Sequence, residues 1–98
     1  MPLVRISARA RSDLYRLHAF LVSKDAVAAK RAMLAIRESF LPLNHAPMIG
    51  RPVEEFEDLR ELVFDFGASG FLALCRFEAA LDAVTILAVK HQREDDYK

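Results

Sequence analysis

The chain ends in VKHQREDDYK, which places His91, Arg93 and Tyr97 within one short stretch. An imidazole titrates near neutrality when unperturbed, so His91 has the chemistry of a general base. A histidine that closes a strand can equally be structural or solvated. Arg93 stands beside Glu94, Asp95 and Asp96, as in a solvated tail, and Tyr97 reads as a contact residue rather than a positioned catalyst. Arg60, near the start of a strand opening LREL, either pairs with a sheet carboxylate such as Glu78 or Glu94 or reaches a target. Cys75 sits inside the apolar run FLALCRF, where a buried inert thiol is expected rather than a nucleophile. The acidic run EEFED (residues 54 to 58) has neither histidine nor helical spacing to converge its carboxylates, so it reads as a solvated lead-in to a strand and no metal is expected.

The elements that must position these groups follow from periodicity. Leu3 to Ile6 suits a short edge strand. Ser7 offers an N-cap hydroxyl to a first helix, along which Ala10, Leu14, Leu17 and Leu21 form one apolar stripe and His18 falls outside it. Ser23, Lys24 and Asp25 break the pattern as a three-residue turn, and Asp25 can cap a second helix from Ala26. Ala29, Ala32, Met33, Ile36, Phe40 and Leu43 keep helical phase, while Pro42 should kink or end the helix. NHAPMIGRP (residues 44 to 52) reads as a loop. Residues 59 to 66, 71 to 78 and 83 to 90 then read as an antiparallel meander, with GASG and AALD as turns. In the first of these strands, alternation buries Leu62, Phe64 and Phe66 and leaves Arg60 at the end of that face; a bulge would reverse the assignment. AVTILAV (residues 83 to 89) has almost no alternation, as in a strand covered on both faces.

Ninety-eight residues make one domain, residues 1 to 98, because a chain of this size buries only about 60 to 65% of its unfolded surface. The apolar fraction of 53% is high for a soluble chain, pointing to a tight fold or a partner that shields it. No apolar run is long enough for a bilayer or a signal peptide, so a cytoplasmic protein without membrane contact is expected. A net charge of zero argues against tight sequence-blind nucleic-acid binding. It conceals a split: residues 1 to 52 carry nine basic against three acidic residues, and residues 53 to 98 carry five against eleven. The basic half suits an acidic partner or a nucleic acid, or else is an ordinary solvated helix surface.

PMIGRP (residues 47 to 52), LREL (59 to 62) and ILAVKHQRE (86 to 94), in that order behind a strand and a helical hairpin, make the chain resemble the RelE/ParE superfamily of type II toxin-antitoxin toxins. The resemblance covers nearly the whole chain. It implies a two-layer α+β fold, with a short N-terminal strand and a helical hairpin packed on an antiparallel sheet of three C-terminal strands. It also implies a cytoplasmic toxin, without cofactor, neutralised by a ParD-like antitoxin through which alone it touches operator DNA. RelE-like members cleave messenger RNA on the ribosome through 2′-hydroxyl attack, which needs a proton acceptor, cations for the phosphate and an acid for the leaving oxygen. Arg60, His91, Arg93 and Tyr97 would carry those roles here. Leu62 and Leu72, however, stand where the nuclease branch has basic residues. That loss, with HQRE after the last strand, resembles the ParE branch, whose members poison DNA gyrase. The reading is therefore a gyrase inhibitor rather than an enzyme, with a nuclease, or a member acting only in the antitoxin repressor complex, as alternatives. Antitoxin contacts are expected at Arg9, Arg16, Leu17, Leu21, Met33 and Arg37.

Overall fold

The computed structural model describes residues 2 to 66 and 69 to 92. Strand β1 (Leu3–Ile6) leads into helices α1 (Ala8–Lys24) and α2 (Ala26–Phe40), followed by a 3-10 turn (Leu41–Asn44). Strands β2 (Arg51–Val53), β3 (Phe56–Phe66), β4 (Ser69–Glu78) and β5 (Ala83–His91) follow, with a second 3-10 turn (Ala79–Leu81) between β4 and β5. The α+β two-layer architecture is the expected one. The sheet is larger than three strands, with order β1-β5-β4-β3-β2 and β1 running parallel to β5.

Short polar side chains set the ends of the helices. Ser7 Oγ accepts the Ala10 N–H at 3.0 Å, and Asp25 Oδ1 accepts those of Val27 and Ala28 at 2.9 and 3.2 Å. The backbone N–H of Asp25 also bonds to Leu21 O, so one residue closes α1 and opens α2. The turn is thus one residue where three were expected, because the carboxylate satisfies the free amides at once. Pro42 enters the 3-10 turn in its first two positions, and α2 ends at Phe40 ahead of it.

The loop reading of residues 44 to 52 is corrected at its end. Arg51–Val53 pairs with β3, with Pro52 tolerated because β2 is an edge strand. β3 begins three residues before Leu59, so part of the acidic run is strand. Gly50 lies against β3, and a Cβ there would stand 2.9 Å from Glu61 O and 3.0 Å from Arg60 Cβ. Of the GASG turn, residues 67 and 68 lie outside the described residues, as does the side chain of Phe66. Leu62 and Phe64 do pack on the core, while Val63 on the other face is 39% exposed.

One bulge shapes β5. Leu74 pairs with Ala88 and Cys75 with Ile86, leaving Leu87 as an extra residue. Val84, Ile86 and Val89 therefore all reach the core cluster, while Ala83 and Ala88 are buried without belonging to it. Both helices contribute to that single cluster, on one face of the sheet. The lost alternation of AVTILAV comes from this bulge and from small alanines, since among the described residues the helices cover one face only. Beyond Ile6 the edge of β5 has no strand beside it among the described residues, and α1 supplies partners there. Ser7 Oγ donates to Leu87 O at 3.0 Å, and Asp13 Oδ2 accepts the Val89 N–H at 3.0 Å.

Candidate functional site

Of the residues a phosphate-cleaving site would use, the two that are described, Arg60 and His91, lie apart. Arg60 pairs in register with Cys75, on the face that the helices cover, and its Nη1 donates to Gly50 O at 3.3 Å. Its Nε is buried and has no hydrogen-bond partner among the described residues. Glu78 is instead paired with Arg5, at 3.8 Å. His91 faces Phe71, its ring edge-on at 5.3 Å. It ends a run of four rings in which Phe71 stacks on Phe64 at 5.7 Å and Phe64 meets Phe40 edge-on at 6.2 Å. Their β4 partners, Phe71 and Cys75, are four residues apart, so His91 and Arg60 are separated by about 13 Å along the strands alone. Arg93, Glu94 and Tyr97 lie outside the described residues.

Leu62 and Leu72 project from opposite faces, Leu62 into the core and Leu72 toward the open side between Val63 and Lys90. Lys90 is a cation of that open side that the sequence reading passed over. Arg5, Arg51 and Arg76 each meet a carboxylate: Glu78, Glu61 and Asp58. Arg76 Nε lies 2.9 Å from Asp58 Oδ2 without hydrogen-bond alignment, so this is a Coulombic contact between two half-exposed groups. Burial pushes the Cys75 thiol up to about 12, which leaves it protonated and unreactive at neutral pH. Among the described residues no three His, Cys, Asp or Glu side chains converge, and no helix is long and apolar enough to cross a membrane.

The hairpin carries a concave surface. Arg11, Leu14, Tyr15 and His18 of α1 face Lys30, Met33, Leu34 and Arg37 of α2 across a groove of about 800 Å³. Past Leu14, Met33 and Arg37 it adjoins a hollow of about 300 Å³ walled by Ile6, Ile36 and Phe40. The groove is apolar at its floor and cationic at its rim, with no carboxylate in its lining among the described residues. The six expected antitoxin contacts separate accordingly. Met33 and Arg37 line the groove. Leu17 is 2% exposed and occupied by the core, and Leu21 packs against the same cluster. Arg9 and Arg16 are exposed and each lie 3.8 Å from Asp13. Arg11, Tyr15, Lys30 and Leu34 also line the groove and were not among those expected, although they recur at helical spacing beside the buried stripe.

A family model described as the ParE toxin of the type II toxin-antitoxin system, parDE, matches residues 4–96. The chain belongs to the ParE toxin family. Toxin RelE3 of Caulobacter vibrioides is 32% identical to it over 94 residues, 96% of this chain and 98% of that protein. Among solved structures, the chromosomal ParDE system from P. aeruginosa aligns with a TM-score of 0.78 at 23% identity, covering 93% of this chain and 96% of that one. The intact E. coli RelBE complex aligns with a TM-score of 0.66 at 10% identity, over 96% and 100% of the two chains. At those identities the structural likenesses speak to the fold. This ParE-family chain is a type II toxin of the wider ParE/RelE superfamily.

Proposed function

We propose that this ParE-family toxin inhibits DNA gyrase and is neutralised by a cognate antitoxin whose acidic amphipathic segment lies along the helical hairpin. Operator DNA is touched only through that antitoxin. The dispersal of Arg60 and His91 carries the first half of this reading. One is bound to a loop carbonyl and the other is packed on a core phenylalanine, about 13 Å apart along the sheet, a placement that supports a role other than joint attack on one phosphate. The groove supports the second half, since apolar floor and uncompensated cations match an acidic amphipathic helix.

A nuclease is the second reading, favoured by the 32% identity to a protein named RelE3 and by Lys90 on the open side beside Leu72. Purified toxin, freed of antitoxin, is incubated with gyrase and supercoiled plasmid, and separately with ribosomes carrying a transcript. Accumulated gyrase-DNA cleavage complexes with an intact transcript are the expected result. A cleaved transcript with unaffected gyrase reverses the assignment. His91→Gln should retain the gyrase effect, whereas a nuclease relying on the imidazole would lose its cleavage.

A further inference from the structure

Two lines of exposed side chains run along the outer face of the hairpin. On α1 the spacing of three and four residues aligns Arg11, Tyr15, His18 and Val22; on α2 it aligns Val27, Lys30, Leu34 and Arg37. The helices are antiparallel about the single link residue Asp25, so the two lines fall into levels. Arg11 stands about level with Arg37, Tyr15 with Leu34, His18 with Lys30, and Val22 with Val27. The apolar members are large and solvent-facing: Tyr15 is 72% exposed, Leu34 49%, Val22 42% and Val27 63%. Cationic and apolar levels therefore alternate over eleven residues of α1, about 16 Å at 1.5 Å per residue.

We propose that this strip recognises its partner by level: the antitoxin segment that occupies it is a helix carrying two acidic residues seven positions apart, with a large apolar residue three or four positions from each. This rests on the reading that an antitoxin fills the groove, and goes beyond it by specifying the partner's pattern. Seven residues separate Arg11 from His18 and likewise Arg37 from Lys30, two helical turns, which sets the spacing of the acids. A uniformly apolar helix would bury Arg11, Lys30 and Arg37 without counter-charge, which is costly. A uniformly acidic one would set carboxylates on Tyr15, Leu34 and the valines. A second copy of this chain would bring cations against cations, because the groove lining holds no carboxylate among the described residues.

The probe is a pair of stapled helical peptides of one composition, one with acids and leucines in the stated order, the other with the acids moved off that face. Binding to the full chain is read by fluorescence anisotropy at physiological salt. The ordered peptide should bind at least tenfold more tightly than the reordered one. Lys30→Glu should remove that preference, and a peptide bearing lysine at the facing position should restore it. Lys30→Gln, expected to give an intermediate loss, is measured beside it, and circular dichroism confirms that both variants fold. Equal affinity for the two peptides, equal displacement of both by duplex DNA, or failure of the swapped pair to recover overturns the proposal. Wild-type chain and Lys30→Glu are also co-purified with the product of the neighbouring gene. A complex indifferent to Lys30→Glu leaves the antitoxin reading standing and overturns the level pattern; if wild type captures no antitoxin, both fall.

Discussion

The open side of the sheet and the outer face of the hairpin use their cations in opposite ways. On the sheet, Arg5, Arg51 and Arg76 each meet a carboxylate of the same chain. Along the hairpin, Arg11, Lys30 and Arg37 border a groove whose lining has none among the described residues. A cation neutralised within its own chain helps to hold the register of strands and has little attraction left for a partner. One left uncompensated beside exposed apolar surface contributes little to folding and is available for binding. The basic first half of the chain is therefore not one surface: Arg9 and Arg16 flank Asp13, while the groove cations face outward.

Reversing Lys30 and Arg37 together to glutamate should weaken antitoxin binding by at least about a hundredfold, since charge pairs at a desolvated interface are worth several kcal/mol, while the melting temperature stays within a few degrees. Isothermal titration against antitoxin with parallel melts checks both halves. A large loss of stability instead would mean that these cations serve the fold.

Asp13→Ala tests the contact between the two regions. It strands the Val89 N–H, which costs about 1 to 3 kcal/mol, and at about 4 to 8 °C per kcal/mol for a chain of this size the drop should be plain by calorimetry. Gly50→Ala should cost a similar 1 to 3 kcal/mol or so, because the new methyl meets backbone at Glu61 that cannot move aside. Cys75 gives a pH signature of the sheet core. Its thiol ionises in the unfolded chain near the ordinary 9.0 but in the folded protein only near about 12. The unfolded state therefore holds fewer protons between these values, so the contribution is complete below pH 9 and declines by up to about 1.4 kcal/mol per unit above it. Denaturant melts across that window, compared with Cys75→Ala, isolate the effect. The smallest change belongs to the sheet's ion pairs: Arg76→Ala should cost less than about 1 kcal/mol, as both partners are half exposed.

Local rules wrote much of the fold into the sequence. The apolar stripes of both helices, the caps at Ser7 and Asp25 and the stop at Pro42 depend on neighbours within four residues. So does the inward face of Leu62 and Phe64. The site was less legible. Leu17 and Leu21 lie on a helix whose apolar stripe could face either sheet or partner, and periodicity does not say which. Nor does it say that Arg60 turns to the loop carbonyl of Gly50, or that His91 closes a row of rings, since both contacts join distant parts of the chain.

By itself the sequence determined the family, the helices with their ends, the meander and the excess of cations in the first half. Tertiary structure alone decided that β1 lies parallel to β5, that β5 bulges at Leu87, and that Asp13 completes the edge left there. It also decided which cations are neutralised at home and which face a groove. The physical reason is range: caps and stripes act within a turn of helix. Charge compensation, by contrast, depends on which carboxylates the folded backbone brings within a few ångströms, from positions up to seventy or more residues away.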